Sequence, residues 1–308
     1  MALQFHGFIE LPVHAGPGGF DHATVHGRRS LLYVAHTAND AVDVIDCARG
    51  TYLRSVAGLP AVAGALVCEE QDLVFTSNRG ENTVAVFSPD REQAPVKVAV
   101  GVRPNGLAYD PADHLLLAAN VGDPAHSGSF TVSIVNVATR SLIADTPVAG
   151  RTRWTIFDPE SKRFYVNVSD PPQTAVVDAA DPARVAQVFP VPAAGPHGLD
   201  FDPASRRLFC AADAKVLVVL DARSGKVLAE REIGGVPDVV FFNATRRALY
   251  IAIGDPGVIE VFDTETLRRR ETVGTEKGAH TLAFDASADR VYAFLPETHR
   301  AAVYVDRA

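Results

Sequence analysis

Leu31-Leu32-Tyr33-Val34-Ala35, a polar turn, and then Val42-Asp43-Val44-Ile45-Asp46 make one phrase: an apolar strand carrying an aromatic, a tight reversal, and another strand closing on Asp. The phrase recurs along the whole chain. Aligned on Tyr33, the same second-strand position falls at Phe75, Leu117, Tyr165, Phe209, Tyr250 and Tyr292, with spacings of 42, 42, 48, 44, 41 and 42 residues. Repeats of this length mark the blades of a β-propeller. The third strands close at Asp46, Ser88, Asn136, Asp178, Asp221, Asp263 and Asp306, so five of the seven end in Asp, a count independent of the aromatic alignment.

Runs such as Leu73-Val74-Phe75 and Arg247-Ala248-Leu249-Tyr250-Ile251-Ala252 are short, apolar and bounded by turn residues, and no stretch reads as a long amphipathic helix. First and second strands are joined by Asp110-Pro111, Asp158-Pro159 and Asp202-Pro203, where Pro presets φ and Asp can bond its own backbone. The expected fold is therefore all-β: a seven-bladed propeller of four-stranded antiparallel blades, one domain over residues 1–308. Blade seven has three strands, near Thr281 to Phe284, Arg290 to Leu295 and Ala301 to Asp306, and lacks an outer one. Phe8-Ile9-Glu10-Leu11-Pro12-Val13 is expected to supply it, which would close the ring and remove an exposed sheet edge.

Composition narrows the partners. A hydrophobic content of 47% with 23 Gly and 20 Pro suits many buried strands joined by many turns. A net charge of −8 disfavours nucleic acid and anionic membrane as partners, since both need a positive field, and no apolar run approaches a membrane span. Met1 to Val13 carries no Lys or Arg and contains His6 and Glu10, unlike a signal peptide. The cytoplasm is the default location, the periplasm if a leader preceded the sequence. Cys47, Cys68 and Cys210 fall in different blades at unrelated spacings, so they form no metal or redox motif, and Cys68 and Cys210, in apolar strand contexts, read as buried, inert thiols.

Leu32-Tyr33-Val34-Ala35, Asn82-Thr83-Val84-Ala85-Val86 and Gly101-Val102-Arg103-Pro104-Asn105-Gly106-Leu107-Ala108 resemble the YVTN family of propeller repeats, related to bacterial YncE-like proteins, across essentially the whole chain. The resemblance implies the propeller fold. It leaves function open, because propellers of this kind include lactonases, lyases, scaffolds and binding proteins.

In such a fold the loop before each inner strand opens on the mouth of the central channel. The residue at that point reads, blade by blade, Asp21, Ala63, Asn105, Arg153, His197, Asp238 and His280; six of the seven are polar or charged, whereas Leu199, Val240 and Leu282 beside them are apolar. The blade period turns these distant residues into neighbours. His197, Asp238 and His280, with Asp21 next around the ring, offer imidazole and carboxylate ligands for a divalent metal ion such as Zn, Mn, Fe or Ni. Two other readings of the ring stand beside this one: a hydrated polar mouth, and a metal-free site built on His and Arg. Arg153 and Asn105 read as catalytic partners, a clamp for a carboxylate or donors to an oxyanion. Trp154, the only Trp, either stacks on a flat substrate or wedges between blades.

His22 lies beside Asp21, and His36, Asn78 and Asn120 occupy equivalent loop positions, where a structural role suits His36. Val121 to Ser129, with His126, is the longest insertion and is either a lid or a simple loop variation. The opposite face carries Arg28-Arg29, Lys162-Arg163, Arg206-Arg207, Arg246-Arg247 and Arg290 in the hairpin turns, read as solvated side chains that block edge pairing. There is no Gly-rich phosphate loop, HExxH or GxSxG. The function expected is that of a small-molecule enzyme, a lactonase-like hydrolase or a lyase with a metal-assisted site, acting on an anionic or lactone substrate. The alternative is a non-catalytic scaffold that binds a ligand or a protein.

Overall fold

The computed structural model describes residues 2–90 and 94–307. They form seven four-stranded antiparallel sheets, each ordered from an inner strand on the channel to an outer strand at the rim. Blade 1, for example, runs Ala23–His26, Leu31–His36, Ala41–Asp46 and Thr51–Ala57.

Ring closure occurs as expected, with a shifted boundary. The strand that completes blade 7 is Ala2–Glu10, paired antiparallel with Arg300–Arg307 from Ala2 opposite Arg307 to Glu10 opposite Arg300. It ends where the sequence reading placed its middle. The Leu11 amide donates a last bond to the His299 carbonyl at 3.0 Å, and Pro12, which has no N–H, cannot continue the ladder.

The aromatic alignment marks the interblade core. Tyr33, Phe75, Leu117, Tyr165, Phe209, Tyr250 and Tyr292 are all 0–1% exposed, and burying each large side chain stabilises by about 2 kcal/mol. Two of the tyrosines also fasten neighbouring blades: the Tyr165 hydroxyl donates to the Ala222 carbonyl at 2.8 Å, and that of Tyr250 to Asp306 Oδ2 at 2.5 Å. Three residues before the aligned position, every blade turns through the left-handed region without glycine, at Ser30, Asp72, His114, Lys162, Arg206, Arg247 and Asp289, with φ between 49° and 58°. This is the tight first hairpin, and its Asp-Pro turns are stapled by Asp side chains: Asp158 accepts from the Glu160 amide at 3.1 Å and Asp202 from that of Ala204 at 3.0 Å.

Several basic residues of these turns pair across blades, while Arg28 and Arg247 stay largely solvated. Arg29 pairs with Asp72 and Asp90, Lys162 with Asp110 and Asp113, Arg206 with Asp158, and Arg246 with Asp289, each joining one blade to the next. Arg206 and Asp158 are both buried. The three cysteines are free and buried, and burial pushes the Cys47 and Cys210 thiols up to about 11 and about 12. Among the described residues no helix is long and apolar enough to cross a membrane.

Candidate functional site at the channel mouth

Five inner strands carry an irregularity at the same place. Pairing with the second strand shifts between Val62 and Gly64, Pro104 and Leu107, Thr152 and Thr155, Pro196 and Gly198, and Pro237 and Val240. These bulges contain Ala63, Asn105, Arg153, His197 and Asp238, and a bulge of this kind re-aims a side chain out of the regular sheet. Glycine then permits close approach of adjacent blades. A Cβ at Gly106 would meet the Arg153 carbonyl at 2.6 Å, and one at Gly198 would collide with the Asp238 carbonyl.

His197 is the centre of the cluster. Its Nδ1 lies 2.8 Å from Asp213 Oδ1, and its Nε2 lies 3.3 Å from Asp238 Oδ1 and 3.1 Å from Arg153 Nη1. Asp238 reaches on to His280, with Oδ2 4.0 Å from Nε2, while His280 Nδ1 donates to the Gly278 carbonyl at 2.7 Å. Arg153 Nε also donates to Ser169 Oγ at 3.0 Å. On the other side of the mouth, Arg79 Nη2 bonds Asn105 Oδ1 at 2.5 Å and Asp21 Oδ2 at 3.1 Å, and Asp21 lies 3.4 Å from His22 Nε2.

The electrostatics follow from this packing. Burial alone lowers the His197 imidazole, but the Asp238 charge and the hydrogen bonds to Asp213 and Asp238 outweigh it and push the group up to about 9. Burial works to raise the Asp238 carboxyl, and the charge and hydrogen bond of His197 hold it well below the usual carboxylate range. His22 is lowered, chiefly by burial. Arg151 is lowered by burial and then by Arg153, Arg103 and Arg79, which makes this arc of the mouth a concentration of positive charge. The two nitrogens of His197 are thus held between carboxylates on one side, with a cationic arc beside them.

The floor of the mouth is Trp154. It packs against the cores of blades 4–5 and 6–7; its ring also lies 4.0 Å from that of His22, and Phe241 meets it edge-on at 6.4 Å. Because His22 belongs to blade 1 and Trp154 to blade 4, this pair closes the channel across its axis.

His197, Asp238 and His280 do come together, but among the described residues no three His, Cys, Asp or Glu side chains are arranged to hold a metal ion. His197 has Asp213 on Nδ1 and both Arg153 and Asp238 at Nε2, Asp238 is shared between two imidazoles, and Asp21 pairs with Arg79 and His22. Arg153 and Asn105 are at the mouth as expected. His36 is fully buried and structural, bonding Asp43 through Nδ1 and His14 through Nε2, both at 2.7 Å. His126 is exposed and pairs with Asp123 of its own loop at 2.6 Å.

Arg79, Ser169 and Asp213 were missed by the sequence reading. They stand at one equivalent position, four residues after the aligned aromatic or its equivalent, one beyond His36, Asn78 and Asn120. A reading one residue further along the same period would have found all three. Arg103 and Arg151 likewise stand two residues before Asn105 and Arg153.

No sequence-family model matches the chain, and no curated protein does. The resemblance to YVTN repeats accordingly rests on the phrases quoted above. Among solved structures the chain is similar to a hydrazine synthase of Kuenenia stuttgartiensis, at 14% identity and a TM-score of 0.80, over 94% of this chain and 96% of that one. It is also similar to a chain in a crystal structure of a mitotic checkpoint complex, at 10% identity and a TM-score of 0.84, over 99% and 92%. At these identities the likeness is one of fold, and with 1747 solved chains matching, the fold alone selects no activity.

Proposed function

We propose that the channel mouth is the active site of a small-molecule enzyme, a lactonase-like hydrolase or a lyase, which holds an anionic substrate on its arginine arc and moves protons through His197 and His280. The observation that carries this reading is His197 clamped between Asp213 and Asp238 with Arg153 against the same Nε2. As an imidazolium, His197 donates its Nε2 hydrogen to Asp238 and is ready to protonate a leaving oxygen. Once that proton has gone, Nε2 becomes an acceptor, and Arg153, which can only donate, is already within hydrogen-bond distance of it.

His280 suits the opposite role. Its Nδ1 hydrogen is fixed on the Gly278 carbonyl, so Nε2, next to Asp238, is the nitrogen left to take up a proton. In lactone hydrolysis this nitrogen takes a proton from water as the water oxygen bonds to the acyl carbon; the acyl–oxygen bond breaks and His197 protonates the departing alkoxide. In the lyase version His280 removes a proton from carbon beside a carboxylate, and His197 protonates the group that leaves. Arg153, with Arg79, Arg103 and Arg151 nearby, supplies the charge, and the Asn105 amide a donor, to hold the carboxylate and the oxyanion. Each of these roles is filled by side chains of the chain itself. The YVTN-like phrases accord with this reading, since lactonases and lyases occur among such propellers.

The test is turnover of small carboxylated lactones. His197→Gln and His280→Gln should each lower kcat by roughly 100-fold or more with little change in KM, whereas Arg153→Ala should raise KM. Activity should survive exhaustive chelation; loss that Zn or Mn restores would replace the proton-transfer reading by a metal-assisted one. Ligand binding without turnover, indifferent to His197→Gln, would leave a binding scaffold instead.

A further inference from the structure

Beneath the Trp154–His22 layer the channel is not filled. A well of about 590 Å³ opens toward the hairpin-turn face, walled by Tyr109, Trp154, Ile156, Phe201 and Phe241, with Glu69 and Glu70 at its rim. The volume is in the range of small-molecule sites, which are mostly apolar with a few placed polar groups. Here the placed group is Asp200 on the inner strand of blade 5. Among the described residues its only hydrogen bonds come from backbone: the Phe201 amide donates to Oδ1 at 2.8 Å, and the Phe242 amide of the next blade to Oδ2 at 2.6 Å. No Lys, Arg or His side chain of the described residues pairs with it. Buried Asp158 and Glu260, by contrast, are matched by Arg206 and Arg269.

We propose that this well is a binding site for a hydrophobic organic ammonium ion, its cationic head on Asp200 and its apolar body against the aromatic wall. A carboxylate has about four lone-pair sites and the two amides use two, so acceptor capacity remains for an N–H donor in the well. Aromatic faces attract a cation through their quadrupole, and the rim carboxylates favour its entry. Burial pushes the Asp200 carboxyl up to about 7, with the Phe242 and Phe201 amides pulling it back; a bound ammonium would supply the missing counter-charge. The site is separate from the mouth and shares with it only the Trp154–His22 partition, so it does not depend on the proposed enzymatic activity.

The only Trp of the chain stands on the well, which makes its emission a direct reporter. The full-length protein is titrated with 2-phenylethylammonium, neutral 2-phenylethanol and anionic 3-phenylpropionate, and Trp154 fluorescence is followed. The ammonium should bind at least tenfold tighter than the alcohol, and the carboxylate weakest. Asp200→Asn should abolish the preference for ammonium, Thr24→Phe, which fills the well from its wall, should remove binding of all three, and His280→Gln at the mouth should leave it unchanged. Equal affinity for ammonium and alcohol in the wild type overturns the proposal even if Asp200→Asn fails to fold. So does an ammonium preference that persists in Asp200→Asn, or binding that survives Thr24→Phe.

Discussion

Replacing Asp238 with Asn removes the strongest upward influence on His197 and leaves burial, which lowers it, largely unopposed. In the wild type the group is raised from 6.5 to about 9, roughly 2.5 pH units, which corresponds to about 3 kcal/mol of stability. Because the folded state holds the proton more tightly than the unfolded chain, this contribution is complete below pH 6.5 and is lost as pH rises through about 9. For a chain of 308 residues, with unfolding entropy near 2.1 cal/mol/K per residue, the loss is worth about 5 °C in Tm. Urea unfolding of both proteins at fixed ionic strength between pH 6 and 10 measures it, and NMR titration of the imidazole resonances assigns it. The wild type should lose stability across that window more steeply than Asp238→Asn. Asp200, also raised, titrates in both proteins and cancels from the difference. A wild-type His197 that titrates at or below 6.5, or parallel stability curves for the two proteins, would refute the account of the cluster given above.

The remaining expectations concern the frame that holds the site. Ile9 is buried between the closing strand and the blade 7 core, so Ile9→Ala should cost about 2–4 kcal/mol in urea unfolding; a neutral change would mean the closing strand is not packed there. Asp158→Asn leaves the buried Arg206 guanidinium only the exposed Glu160 as a carboxylate partner and should cost about 2–4 kcal/mol, most of it regained when Arg206→Met is added. Ser30→Gly relieves a left-handed backbone at the expense of unfolded-chain entropy and should stabilise by about 0.5–1 kcal/mol in thermal unfolding. Gly198→Ala sets a methyl group against the Asp238 carbonyl and should perturb the His197 NMR titration while leaving far-UV circular dichroism unchanged.

The blade count and the ring of mouth residues were legible because period and position coincide. Tyr33 and its six counterparts recur at one depth of each sheet, and burial there needs an aromatic or a large aliphatic residue. The contacts within the mouth were not legible, for two physical reasons. Bulges at Arg153, His197 and Asp238 depend on how one strand is paired with the next, which leaves no fixed residue signature. The residue that turns toward the mouth is the first of the loop, Arg79 or Asp213, whereas Asn78 and Asn120 one residue earlier end their strands and are wholly buried in the sheets. Asp200 reads in sequence as an ordinary polar residue between Leu199 and Phe201, and only the curvature of the ring puts it on a well.

The closing strand has a consequence for biogenesis. Ala2–Glu10 is synthesised before every other strand of the ring, yet its partner Arg300–Arg307 emerges only when the propeller is nearly complete. At translation rates of 5–20 residues per second the delay is on the order of half a minute. Throughout it the strand has an unsatisfied backbone and two phenylalanines, Phe5 and Phe8, that stay 53% and 52% exposed even after docking. Two nascent chains on one polysome are then in a position to exchange these strands, so blade-swapped dimers are the misassembly this topology invites at high expression.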